Sequence, residues 1–184
     1  YLAVNPAGQT PALELDDGRV LTETRAICTY LEGLYPEPNL MGVDFEERAF
    51  IEMADRRVEH YLLAGIANAV RHTHPGLAPL EQPQFPDFGH SQAQKVREVA
   101  SWFDQLLARQ PWVAGGRFTI ADITAFCAIE FAKLMKFSTG FFARPRCSQY
   151  IRTFVSAENQ FSRNQCVFSV FNNRVKLIRI PWQK

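Results

Sequence analysis

Thr22-Glu23-Thr24 sets a carboxylate beside a threonine at the point where a helical pattern begins. A helix start offers unpaired backbone N–H groups and the positive end of the helix dipole, a ready place for a carboxylate. The Glu23 side chain next to it attracts an ammonium group. A carboxylate and an ammonium on one carbon describe the α-amino-acid end of a ligand. Thr10-Pro11 opens the adjoining strand, and a cis bond there would turn the Thr10 N–H and C=O toward an extended peptide ligand. The plainer alternative needs no ligand: a strand entry, and Thr24 as an ordinary N-cap.

A second group lies at the end of a later helix, in His72-Thr73-His74. A neutral imidazole with an unperturbed pKa of about 6.5 can take a thiol proton through one water. A histidine at a helix C-terminus equally serves the dipole or caps a carbonyl. Two histidines without a third ligand nearby do not make a metal site, and none is expected. Cys28, Cys127, Cys147 and Cys166 have no CxxC spacing. Cys28 and Cys127 fall inside apolar helical patterns, where cysteine behaves as a small buried hydrophobe, which favours a reducing cytoplasm.

These residues need a scaffold. The 184 residues are 47 % hydrophobic and 21 % charged, as in ordinary globular proteins, and no apolar run is long enough for a membrane helix. The opening piece is α/β. Leu13 and Leu15 alternate with Glu14, Asp16-Asp17-Gly18 supplies a hairpin turn, and Arg19-Val20-Leu21 returns. Ile27, Tyr30, Leu31 and Leu34 then step at helical spacing until Pro36 and Pro38 open a short linker. After the linker strands vanish. Phe45 to about His72 reads as one long helix carried by Phe50, Ile51, Ala54, Val58, Tyr61 and Leu62. Residues 75–89 read as a proline-rich loop, Ser91 to Gln110 as a second helix, and Thr119 to Phe137 as a third, apolar nearly all round and so central. Thr119 with Asp122 forms a variant capping box there, with Phe118 and Ile123 placed as a hydrophobic staple.

The stretch "NPAGQTPALELDDGRVLTETRAICTYLEGLYP" resembles the second half of the thioredoxin-like domain of glutathione transferases. "WVAGGRFTIADITAF" resembles the capped core helix of their all-helical second domain. The resemblance covers roughly residues 1 to 137. It implies a partial thioredoxin-like domain (1–36), a linker (37–44) and a helical bundle (45–137), an α/β part followed by an all-α part. It implies that Thr10, before Pro11, bonds the cysteinyl backbone of glutathione, that Glu23 and Thr24 hold its γ-glutamyl end, and that Gln9 reaches its glycyl carboxylate. The implied activity is conjugation of the glutathione thiol to a small electrophile, with no cofactor besides glutathione as co-substrate, in a homodimer, without nucleic acid or membrane.

The residue that usually activates the thiol lies in the first strand–helix unit of such domains, and that unit is absent here. Tyr1 does not replace it. "RRVEHYLLAGIANAVRHTHPGLAP" resembles a fungal and bacterial branch thought to activate glutathione through a water held in the helical domain by a serine and a histidine. The histidine matches His72, with Asn68 one turn earlier, but the serine position reads Ala67. Conjugation is therefore expected to be impaired, the alternative being a non-catalytic binding or assembly module of the same family.

Residues 138–184 differ in kind, with 8 Lys and Arg against 1 acidic residue, where residues 1–137 have 12 against 18. Their aromatic and basic residues follow no helical spacing, and they are expected to be an atypical tail rather than the natural ending of the family. The abrupt start at Tyr1 likewise reads as a piece whose beginning lies elsewhere.

Overall fold

Asp16-Asp17-Gly18 reverses the chain as its composition demands. Gly18 takes a φ of 82°, Leu15 N–H donates to the Arg19 carbonyl at 2.8 Å, and the Asp17 carboxylate accepts from the Arg19 N–H at 3.0 Å. The computed structural model describes residues 1–163 and 176–177, with side chains to residue 156. The chain forms two units, residues 1–39 with 159–184, and residues 40–158.

In the first unit β1 (Ala12–Glu14) pairs antiparallel with β2 (Val20–Thr22), and Ala12 stands opposite Thr22. A two-residue strand, β3 (Lys176–Leu177), joins the other edge of β1 with Leu177 opposite Leu13. Strands therefore do not end at the linker, and two residues are too few to show a period of two in the sequence. Ala12, Leu13 and Ile27 are buried. Helix α1 (Thr24–Leu34) follows β2 directly. Its Ile27, Tyr30, Leu31 and Leu34 lie in the helix that their spacing predicts, with Tyr30 and Leu34 exposed.

The second unit is helical. The long helix expected from Phe45 exists as one continuous run, but it is not uniform. Helix α2 (Phe45–Arg57) passes into a π-helical segment (Val58–Leu63) and then into α3 (Ala64–Thr73). The buried face runs through Ile51, Ala54, Val58, Leu62, Ile66 and Ala69, spaced by three or four, with Val70 beside Ala69, while Phe50 and Tyr61 are exposed. Asp44 caps α2 by accepting from the Glu47 N–H at 2.8 Å.

Helix α4 (Pro86–Leu107) begins five residues earlier than its apolar spacing announces. Pro86 stands at its first position, where a missing N–H breaks no helical bond, so part of the expected loop is helix. Helix α5 (Ile120–Leu134) starts with the expected capping box and buries Ala121, Ala125, Ala128, Ile129 and Ala132. The buried Asp55 of α2 accepts from the Thr124 hydroxyl of α5 at 2.6 Å and pairs with Arg56 at 2.7 Å.

The expected absence of helical spacing beyond residue 138 is corrected. Helix α6 (Pro145–Arg163) buries Cys147, Tyr150, Ile151 and Phe154 at helical intervals, and the Phe154 ring stacks on Phe126 at 4.0 Å. The cysteine reading is corrected with it. Cys127 is exposed and Cys28 half-buried, while the buried thiol is Cys147, pushed up to about 12 by burial and then by Asp104. Cys166 lies outside the described residues, as does the tail's structure over residues 164–175 and 178–184.

One ion pair braces the start of α2 against the turn before α5: Arg117 Nε meets Glu47 Oε1 at 2.7 Å. The Arg117 guanidinium holds the Glu47 carboxyl below its ordinary range, helped by the Val43 N–H. A carboxyl so lowered stabilises the fold above its ordinary pKa, and that contribution disappears as pH falls through the lowered value. The urea midpoint of Glu47→Gln should therefore lie below that of the parent at neutral pH and converge with it in acid. Equal midpoints at neutral pH would show the pair to be inert, as many exposed ion pairs are.

Candidate functional site

The hairpin register gathers the first set of expected residues. Because Ala12 stands opposite Thr22, Thr10-Pro11, just before β1, and Glu23-Thr24, just after β2, adjoin the same end of the two strands. Gln9 adjoins them, its carbonyl accepting from the Asn5 amide at 2.6 Å and from the Tyr1 hydroxyl. Gln9, Thr10, Glu23 and Thr24 are exposed and Pro11 is half-buried. The Thr10-Pro11 bond is cis.

Thr24 does not cap α1, contrary to the sequence reading. It is the first helical residue, Glu23 takes the N-cap position, and the Glu23 side chain makes no capping hydrogen bond. Glu23 has φ 65° and ψ 118°, a backbone state that residues with a Cβ rarely adopt. Such outliers persist where the surroundings impose them, and they concentrate at ligand sites. Among the described residues the Glu23 carboxylate makes no hydrogen bond or ion pair. This end of the hairpin thus presents a carboxylate beside a helix N-terminus that the N-cap side chain does not cap.

His72 belongs to the second unit, and its surroundings are of another kind. The Nδ1 atom accepts the Phe85 backbone N–H at 3.1 Å. The Phe88 ring meets the imidazole edge-on at 5.1 Å and the Phe85 ring lies at 5.9 Å. The side chain is only 12 % exposed, and Nε2 stands 3.9 Å from Glu81 Oε1. Glu81 is in turn 3.5 Å from the Arg71 guanidinium. Gln84 returns the favour to α3, donating its amide to the Arg71 carbonyl at 2.6 Å and the His74 carbonyl at 3.0 Å. The end of α3 and the start of α4 therefore cap each other.

Gly89 makes this approach possible, because a Cβ there would lie 2.6 Å from Thr73 Cγ2 and 3.1 Å from His72 Cβ. Asn68 is half-buried one turn before His72 on the same helix face, and Ala67 beside it is also half-buried. His74 Nδ1 accepts the Gly76 N–H at 3.1 Å. No group of three or more metal-ligating side chains occurs among the described residues, and none of their helices is long and apolar enough to cross a membrane.

Glu81, Gln84 and the Phe85 N–H were not singled out from the sequence. They reach His72 and α3 across a loop, and nothing in their own spacing marks them. Two surface clefts of about 290 and 240 Å³ in the helical unit include none of the expected site residues.

Comparison with known proteins gives these sites a context. Residues 64–153 match the family model "Glutathione S-transferase, C-terminal domain", and residues 1–39 match "Glutathione S-transferase, N-terminal domain". Glutathione S-transferase 2 of Saccharomyces cerevisiae is 37 % identical over 137 residues, 74 % of this chain and 59 % of that protein. The chain thus spans about three-fifths of the curated relative. The crystal structure of Gtt2 from Saccharomyces cerevisiae superposes with a TM-score of 0.76 at 33 % identity, covering 83 % of this chain and 74 % of the other. A glutathione S-transferase domain-containing protein of Marinobacter aquaeolei gives 0.75 at 34 %, with coverages of 83 % and 75 %.

Proposed function

The chain belongs to the glutathione S-transferase family, and from that premise we propose that it holds glutathione and presents its thiol to a small electrophile. The observation that carries the reading is the hairpin end, where the exposed Glu23 carboxylate stands at the start of α1 on a backbone of φ 65°. Glu23 takes the γ-glutamyl ammonium, the first turn of α1 with Thr24 takes the γ-glutamyl carboxylate, and the Thr10 backbone pairs with the cysteinyl residue. Gln9 is placed for the glycyl carboxylate. Binding orients the thiol, and stabilising the thiolate makes it the nucleophile that displaces the electrophile's leaving group. His72, with Asn68 on the same helix face, is assigned to the thiol. No cofactor is needed beyond glutathione itself.

The exposed Phe45, Phe50 and Met53 of α2 support a homodimer, since exposed apolar side chains invite a partner. A reducing cytoplasm, rich in glutathione, is the expected setting.

One observation favours a second reading, a non-catalytic glutathione-binding or assembly module. The acceptor nitrogen of His72 is already filled by Phe85, which leaves no ring nitrogen open as a base and predicts slow conjugation. Passage over immobilised glutathione, followed by a conjugation assay with a chloronitrobenzene, separates the two. Retention with turnover supports the transferase, and retention without turnover supports the module. A folded chain that passes straight through would defeat both.

A further inference from the structure

We propose that a cleft on the helical unit, between the end of α4 and the start of α6, binds the phosphate of a small phosphomonoester through Arg109 and Arg146. The cleft measures about 290 Å³ and lies wholly within residues 40–158. It shares no residue with the hairpin end or with the surroundings of His72, and no aspartate or glutamate lines it.

Arg109 lies just past α4 and Arg146 is the second residue of α6. Neither guanidinium makes a hydrogen bond or an ion pair among the described residues, and neither does the side-chain amide of Gln149 beside them. Arg109 has an ordinary reason for its place, since a cation suits the C-terminal end of a helix. Arg146 has none. It stands in the first turn of α6, where the helix dipole is positive and a cation costs stability. Asp104 answers the backbone there, accepting from the Arg146 and Cys147 N–H groups at 3.0 and 3.1 Å, but it pairs with neither guanidinium. Two unpaired cations and a helix start thus share one cleft that holds no acid, and a bound anion relieves their repulsion.

The donors select the anion. The Gln110 amide already donates to the Trp112 and Val113 carbonyls at 2.8 and 2.9 Å, and the Tyr150 hydroxyl to Asp122 at 2.9 Å. The groups left for a ligand are the two guanidiniums and the Gln149 amide. Each guanidinium is a planar fork that takes two oxygens at once. A carboxylate is satisfied by one fork. A phosphomonoester, with three terminal oxygens and a charge of about −1.5 to −2 at neutral pH, engages both. The cleft continues past Leu107, which is half-buried, and Pro111, which is exposed, and these seat an apolar ester group.

Calorimetric titration of the full chain with phenyl phosphate, at an ionic strength held constant with chloride, tests the site. One saturable site is expected, with benzoate bound about 10-fold more weakly or worse because one fork stays unused. Inorganic phosphate should also bind more weakly than the ester, since it leaves Leu107 and Pro111 uncovered. Arg109 and Arg146 are exposed, so Arg109→Gln and Arg146→Gln should fold. Each should weaken phenyl phosphate by about 10-fold or more and leave retention on immobilised glutathione unchanged. Without ligand, Arg146→Gln should raise the urea midpoint, because it removes a cation from the helix start. Heat that does not saturate, affinity that both variants keep, or benzoate or inorganic phosphate bound as tightly as the ester would each overturn the proposal. So would a lowered midpoint in Arg146→Gln, which would give that guanidinium a partner within the fold. Displacement of phenyl phosphate by glutathione would move the anion to the hairpin end and overturn it too.

Discussion

Asp122→Ala is expected to destabilise the helical unit by about 3–5 kcal/mol, a loss on the order of 10 °C in Tm for a chain of this size. Asp122 is completely buried and receives four donors: the Thr119 N–H at 2.8 Å, the Thr119 hydroxyl at 3.1 Å, the Val113 N–H at 2.8 Å and the Tyr150 hydroxyl at 2.9 Å. Removing the carboxylate leaves three separate chain segments with unsatisfied buried donors, each worth about 1–3 kcal/mol of desolvation. Burial pushes the Asp122 carboxyl up while these donors pull it back, and burial together with the Asp122 charge keeps the Tyr150 phenol protonated. Asp122→Asn should be little better than Ala. Its amide would turn an N–H toward either the Thr119 N–H or the Val113 N–H, donor against donor. Thermal unfolding of the three proteins checks this, and an Asn variant within about 1 kcal/mol of the parent would show that the acceptor count is not what matters.

Glu23→Gly should move stability and binding in opposite directions. At φ 65° and ψ 118° a side chain strains the backbone, and glycine removes that strain at the cost of a more flexible unfolded chain. The net expected gain is about 1 kcal/mol, read as a higher urea midpoint. Loss of the carboxylate removes one charge-assisted hydrogen bond to the ligand's ammonium, about 1.5–3 kcal/mol, or roughly 10- to 150-fold in glutathione affinity. A structural role for Glu23 predicts the reverse in stability and no change in retention on immobilised glutathione. The opposed signs make the result hard to mistake for general damage, because a better-folded protein that binds worse has lost a binding group. Glu23→Gln separates charge from backbone: stability should stay near the parent's while affinity falls.

Much of the fold was legible because its signals are local. The hairpin turn needs only Asp17 and Gly18 beside it, and the capping box needs only Thr119 and Asp122, three residues apart. The long helix from Phe45 to Thr73 follows from apolar residues every three or four positions. The π-helical segment inside it is not distinguished by that spacing, because steps of four residues between buried positions are read as α-helix and as π-helix alike.

Helix α6 escaped for a specific reason. Its start, Arg144-Pro145-Arg146-Cys147, contains no serine, threonine, asparagine or aspartate to cap it. The cap comes from α4 instead: Asp104 accepts from the Arg146 N–H at 3.0 Å and from the Cys147 N–H at 3.1 Å. A cap supplied from 42 residues away leaves no mark on the local sequence. The apolar face of the helix was present but interrupted by arginines, serines and threonines on its exposed side.

The same division runs through the candidate site. The residue types in Thr10-Pro11 and Thr22-Glu23-Thr24 are what lead to the proposal of an amino-acid head group as the ligand's end, because carboxylate, helix start and strand edge act through short-range chemistry. Their assembly at one end of the hairpin follows from a turn whose length is written in the sequence. What His72 can do was not written there. An imidazole is donor or acceptor according to what its other nitrogen meets, and that partner, Phe85, is brought to it by the loop between α3 and α4 and the packing of the two helices. The sequence by itself determined which groups are available and in what order. Only the tertiary structure decided which atom of His72 is committed and which is left to act, because a hydrogen bond between distant residues exists only once the chain has closed around it.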